Sequence, residues 1–172
     1  MTVSLAQLNA LPAPACAELF AACCGSSRWV SELVALRPFA SLDELHRVAD
    51  DVWWTLEESD WLEAFAHHPR IGGTRSASPQ SERAASWSAG EQAGVATAAA
   101  NARSELAAIN DAYEARFGFI YIVSAAGKSA EELLDIARTR LANDRDVELR
   151  VAAEEQRKIT NLRLRKLITE GA

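Results

Sequence analysis

Val95, Ala99, Ala102, Leu106, Ile109 and Tyr113 recur at intervals of 4-3-4-3-4. Apolar residues three and four apart line one face of a helix, whereas a strand needs alternation. The spacing predicts one long helix running to about Arg116. Ser88-Ala-Gly-Glu91 just before it reads as a capping box, with the serine holding a first-turn amide and the glutamate reaching back. Ser41-Leu-Asp-Glu44 and Ser129-Ala-Glu-Glu132 repeat that device. The first opens a helix carrying Leu42, Leu45, Val48, Ala49 and Val52. The second opens a helix to about Asn143. Further helices are predicted from near Ser4, after Pro14 as far as Gly25, over Ser27 to Leu36, from a cap at Ser59 to His67-His68, and from Asp146 to about Thr169. Ile71 to Ser86, rich in Gly, Ser and Arg, reads as the longest loop. FGFIYIVSAAGKS, Phe117 to Ser129, is the one strand-like run. The prediction is an all-α, single-domain bundle of seven to nine helices with one short extended segment, the domain taking in residues 1–172.

Alanine is abundant and β-branched residues are sparse, which agrees with helix over sheet. The net charge of -6 argues against nucleic acid as a partner, because phosphate binding needs a concentrated basic face. No apolar run approaches the roughly 20 residues of a membrane span. MTVSLAQLNALPAPAC lacks the basic start and long apolar centre of a signal peptide, so a cytoplasmic location is expected. Cys16, Cys23 and Cys24 form no C-x-x-C, and buried thiols are the expected state.

Four places carry side chains suited to chemistry. In FAHHPRIGG, consecutive histidines on a helix point about 100° apart, so His67 and His68 cannot face one pocket equally. His68 is fixed by the proline after it and suits acid or base work near neutral pH. Two half-exposed histidines at a helix end are the structural alternative. No H-E-x-x-H is present and His46 is remote in sequence, so no metal site is expected. In SAGEQ, the capping device explains Ser88 and Glu91 without function, yet Gln92 stands beside Glu91 and a helix N-terminus offers free amides to an anion. The extended run leaves main-chain groups seeking partners, which a planar amide-rich ligand or neighbouring side chains would supply. On the last helix Arg163 shares a stripe with Leu149, Ala152, Gln156, Ile159 and Leu167, while Arg165 points away. A guanidinium there needs a carboxylate, from Glu91 or from a ligand.

Taken together, HHPRIG, SAGEQ, N-x-x-Y-x-x-R-F-G-F-I-Y-I (Asn110 to Ile122), R-L-x-N-D (Arg140 to Asp144) and K-I-T-N-L-R-L (Lys158 to Leu164) resemble the OHCU decarboxylase family over roughly Phe65 to Ile168. The resemblance implies conversion of 2-oxo-4-hydroxy-4-carboxy-5-ureidoimidazoline to (S)-allantoin, the last step from urate to allantoin. It further implies an all-α fold, a homodimer, and no metal or organic cofactor. By the same resemblance His68, directly before Pro69, is the catalytic histidine. Glu91 and Gln92 contact substrate, with Glu91 also catalytic and Ser88 opening their helix. Main-chain groups of Phe119, Ile120, Tyr121, Ile122 and Val123 hold the ring and ureido amides, and Arg163 is the arginine of the final helix. Two other readings compete. A hydrolase of a related ureide would need a water-activating base. A non-enzymatic dimerisation or binding module would use an Arg163–Glu91 bridge as structure and Trp53, Trp54 and Trp61 as a contact surface.

Overall fold

The computed structural model describes residues 2–72, 79–96, 98 and 100–168. Among the described residues there are ten helices and no strand. They are α1 (Leu5–Ala10), α2 (Ala13–Cys23), α3 (Ser27–Ala35), α4 (Leu42–Thr55), α5 (Glu58–Ala66), α6 (Glu82–Glu91), α7 (Ala93–Ala96), α8 (Ala100–Phe117), α9 (Ala130–Arg140) and α10 (Arg145–Leu167). The all-α class is borne out, with more helices than the seven to nine expected. The chain divides into two compact units. One runs up to Ala64 and resumes at Arg157; the other is Phe65–Gln156.

The first unit follows its sequence signals closely. Ser4 and Gln7 form a reciprocal capping box on α1. The carbonyls at the other end of α1 receive Arg37, whose Nη1 donates to Leu8 (2.9 Å) and Leu11 (2.8 Å). Ser26 caps α3 and Ser41 caps α4. The predicted box at Ser41 is only half made, because the Glu44 carboxylate accepts from the Ala40 amide instead (2.5 Å). Glu57 and Asp60, not Ser59, open α5: the Glu57 amide donates to the Asp60 carboxylate at 3.0 Å. Phe20, Trp29, Leu33, Leu45, Trp53 and Leu164 are buried in this unit's core. The Trp61 indole donates to the Trp53 carbonyl (3.0 Å), and Trp54 meets Trp61 edge-on. Trp53 and Trp61 therefore pack inside, and only Trp54 reaches the surface. An isolated parallel bridge joins Val3 to Ile168. Cys16, Cys23 and Cys24 are buried thiols outside any disulfide among the described residues, as expected.

The second unit departs from the sequence reading in one region. Ser88 does not open a helix. It lies inside α6, whose N-cap is Ser81, holding the Ala84 amide at 3.2 Å. The predicted loop therefore ends by Glu82, and its stretch 73–78 lies outside the described residues. The long helix expected from Ser88 to Arg116 is broken into α6, α7 and α8. Within α7, a β-carbon on Gly94 would collide with the Lys128 carbonyl oxygen, so the backbone itself packs against the α9 approach. The buried stripe of α8 is Ala102, Leu106, Asn110, Tyr113 and Phe117, with Asn110 taking the place expected for Ile109. Ala99, also assigned to that stripe, lies outside the described residues. Gly118, at φ +80°, ends α8 in a conformation only glycine adopts freely, and the chain leaves as a non-helical run to Ala125. Gly127 turns it into α9, where Ser129 and Glu132 make the predicted capping box. α9 stops at Arg140, earlier than the expected Asn143, and α10 ends at Leu167 among the described residues, the expected end at Thr169 lying outside them.

Replacing Ser81 by Ala removes the α6 cap and is expected to cost about 1 kcal/mol, or roughly 2–4 °C in Tm. Ser88→Ala removes no cap. A thermal melt in which Ser81→Ala is neutral contradicts the assigned start of α6.

Candidate active site

The second unit gathers His68, Pro69, Ser88, Glu91, Gln92 and the main chain of Phe119 to Val123. The helix expected to reach His67-His68 stops just short of them, and the pair divides in exposure. α5 ends at Ala66, the His68 amide closes onto the Phe65 carbonyl at 3.0 Å, and Pro69 prevents continuation. His68 is buried, whereas His67 is half exposed. Phe65 packs on Phe119 with ring centroids 5.6 Å apart, so the residue three before His68 touches the start of the extended run.

The segment after His68 is clamped by three kinds of bond. Arg70 is exposed and pairs with Asp111 (2.6 Å) and Glu114 on α8. Asn110 donates from Nδ2 to the Ile71 carbonyl at 3.0 Å. The Gly72 amide donates to the Gln92 side-chain oxygen at 2.8 Å. Gly72 has φ +79°, which favours glycine there. Gln92 thus performs a task the sequence reading did not assign: it ties the end of α6 to the loop that carries His68.

Ser88 and Glu91 are both buried, four residues or fewer from the end of α6. The Ser88 hydroxyl receives the Gln80 side chain at 3.4 Å, and its carbonyl receives the Gln92 amide at 3.2 Å. Gln92 is the C-cap. The expectation that SAGEQ offers free helix amides to an anion is therefore overturned, because this end of α6 presents carbonyls. What it offers instead is one buried carboxylate, Glu91.

The extended run is held mostly through side chains. Arg140 Nη1 donates to the Ile122 carbonyl at 2.8 Å, the Ser124 amide donates to Glu155 at 2.8 Å, and the Tyr121 hydroxyl donates to the Leu133 carbonyl at 3.0 Å. None of the amides from Phe119 to Val123 donates to a described residue. Phe119, Tyr121, Ile122 and Val123 are buried, and Ile120 is half-buried. The helical stripe of α9 (Leu133, Leu134, Ala137, Arg140) ends in a buried arginine, the same pattern that singled out Arg163. That signal was present in the sequence, and so was R-L-x-N-D, but Arg140 was given no role there.

Arg163 belongs to the first unit. It is buried on α10 and Arg165 is exposed, as the helical stripe predicted. Cys24 lies close by: burial above all pushes its thiol up to about 11, against opposing effects of the Ser26 backbone, Thr160 and Arg163. Among the described residues no cluster of His, Cys, Asp and Glu is arranged to hold a metal ion, and no helix is long and apolar enough to cross a membrane.

The second unit thus holds a buried histidine, a buried carboxylate and an extended main chain whose amides from Phe119 to Val123 donate to no described residue. The family described as OHCU decarboxylase matches this chain over residues 9–165, so the chain belongs to that family. The Arabidopsis thaliana protein called Uric acid degradation bifunctional protein TTL is 40% identical over 151 residues, covering 87% of this chain and 46% of that protein. A Bacillus subtilis protein called Uric acid degradation bifunctional protein PucL is 31% identical over 84% of this chain and 28% of its own length. The chain thus spans less than half of these bifunctional relatives. The Haloferax volcanii protein named 2-oxo-4-hydroxy-4-carboxy-5-ureidoimidazoline decarboxylase is 26% identical with 94% of both chains covered. A crystal structure of an OHCU decarboxylase determined in the presence of (S)-allantoin superposes with a TM-score of 0.75 at 37% identity, covering 87% of this chain and 96% of that one.

Because the folded Cys24 thiol titrates near 11 and an ordinary one near 9.0, its contribution to stability is complete below about 9.0 and is lost as pH rises toward about 11. The urea midpoint is expected to fall from about pH 8 to about pH 10.5, and to fall less in Cys24→Ala. Equal slopes in the two proteins contradict this assignment.

Proposed function

We propose that this chain is a decarboxylase that converts 2-oxo-4-hydroxy-4-carboxy-5-ureidoimidazoline to (S)-allantoin. The observation that carries the proposal is the likeness to the OHCU decarboxylase crystallised with (S)-allantoin, which extends over nearly all of that protein's length. The buried His68 and Glu91 and the unspent amides of the extended run support it.

The substrate carbon bears a hydroxyl and a carboxylate beside a C=N bond. When the bond to the carboxylate breaks, CO2 leaves and the electron pair delocalises into that C=N, so the ring supplies its own electron sink. The protein must then hold the carboxylate out of the ring plane, polarise the hydroxyl, and deliver a proton to one face. His68 is the proposed acid and base, and Glu91 orients it or shares the proton. Holding the carboxylate out of plane is a matter of orientation before chemistry. Main-chain groups of Phe119, Ile120, Tyr121, Ile122 and Val123 hold the ring and ureido amides, whose donors and acceptors match a peptide edge. Pro69 fixes His68, and Ser88 and Gln92 support the substrate-facing end of α6. Arg163 is proposed to anchor a carboxylate or ring carbonyl. Protonation from one side of a fixed ring yields a single enantiomer. Residues 1–172 acting as one domain, a homodimeric assembly, a cytoplasmic location, and turnover without metal or organic cofactor complete the proposal. The family match over residues 9–165 supports the first of these.

The test generates the unstable substrate from urate with urate oxidase and hydroxyisourate hydrolase and follows circular dichroism. The protein is expected to bring rapid appearance of an optically active allantoin signal. Slow racemic product, unchanged by the protein, sinks the proposal and leaves a related ureide hydrolase or a binding module. His68→Ala is expected to lose on the order of 100-fold in kcat or more while keeping its helical far-ultraviolet spectrum. A His68→Ala protein with the unchanged rate removes His68 from the mechanism.

A further inference from the structure

Arg140 and Glu148 are charged, fully buried and absent from the mechanism above. The Arg140 guanidinium makes four polar contacts. Nε and Nη2 meet Glu148 Oε1 at 2.7 and 2.5 Å, Nη1 meets the Ile122 carbonyl at 2.8 Å, and Nη2 donates to the Tyr113 hydroxyl at 3.1 Å. The Tyr113 hydroxyl in turn donates to Glu148, and Asn143 Nδ2 donates to the other Glu148 oxygen at 2.8 Å. Arg140 also lies over the Tyr121 ring, 5.0 Å from its centroid. Glu148 is 0% exposed and stands in the first turn of α10, where the helix end favours a carboxylate.

A buried ion pair is a costly way to fill a core, since apolar groups of the same volume often stabilise as well or better. Here the pair does something apolar groups cannot. It presents a fixed N–H to one carbonyl of the extended run and stacks on a ring of the same run. The Phe119–Val123 amides are left uncommitted among the described residues. We infer that Arg140, locked by Glu148, is a positioning residue that holds the Phe119–Val123 main chain in the shape that receives the substrate's amides. The inference rests on the decarboxylase assignment proposed above.

Arg140→Lys tests it. Lysine keeps a positive charge for Glu148 but lacks the planar fork that reaches Glu148, Tyr113 and the Ile122 carbonyl together. Two quantities are measured on the full chain: hydrogen exchange of the peptide spanning residues 118–128, and binding of (S)-allantoin alongside kcat and KM. The variant is expected to keep its helical spectrum, to exchange that peptide faster, and to bind (S)-allantoin about tenfold more weakly with kcat changed less than KM. Tyr113→Phe, which leaves the Arg140–Ile122 bond in place, is expected to stay within about threefold of the parent affinity. Should Arg140→Lys fail to fold, Glu148→Gln takes its place and is expected to give the same two changes in smaller measure. A folded variant with parent-like exchange overturns the inference, and so does faster exchange with unchanged affinity. A parent protein that does not bind (S)-allantoin sinks the decarboxylase assignment instead, and the exchange comparison still decides whether Arg140 holds the segment.

Discussion

An extended main chain inside a helical protein has no ladder to satisfy it, and the second unit is organised around that constraint. Helices satisfy their own amides and carbonyls, but the run after Gly118 cannot. The protein answers with Arg140 on the Ile122 carbonyl and Glu155 on the Ser124 amide, and the run's own Tyr121 hydroxyl anchors it to the Leu133 carbonyl of α9. Each is a single bond at a chosen atom. The result is a segment fixed in place whose amides from Phe119 to Val123 donate to no described residue, as the proposed amide-rich ligand requires.

The region around His68 shows the same economy of attachment. His68 sits where a helix must stop, and the loop beyond it is tied down by Arg70, Asn110 and Gln92 rather than by regular structure. Glu91 comes from the end of α6, so histidine and carboxylate are delivered by separate elements with the Gly72–Gln92 hydrogen bond between them.

Much of this was legible in the sequence. Caps at Ser4, Ser41 and Ser129, the stop at His68-Pro69, the buried face of α10 and the extended run after Gly118 are all local signals, and local signals are what a sequence displays. The failures share one cause. SAGEQ satisfies the S-x-x-E pattern, yet Ser81 seven residues earlier captures the helix start, and a pattern cannot say which of two competent caps wins. The close packing of Gly94 on the Lys128 carbonyl, more than thirty residues away, is likewise something no periodicity reports. Arg140 was readable by the reasoning applied to Arg163, but its partners Tyr113, Ile122 and Glu148 come from three separate segments. Asn110 was passed over because Ile109 beside it fits an apolar stripe better by composition, while the actual stripe needs a donor for the Ile71 carbonyl.

The tryptophans have an optical consequence. Of the 5 in the chain, Trp29, Trp53, Trp54 and Trp61 belong to the first unit, and Trp87 alone belongs to the second. Trp87 is half-buried on α6 immediately before Ser88 and one turn from Glu91. A protein stripped of the other four indoles by substitution with phenylalanine would carry one emitter, seated beside the carboxylate proposed to act on the substrate. Its emission wavelength and quenching would report water and ligand at that end of α6, with a native side chain as the probe and no added label.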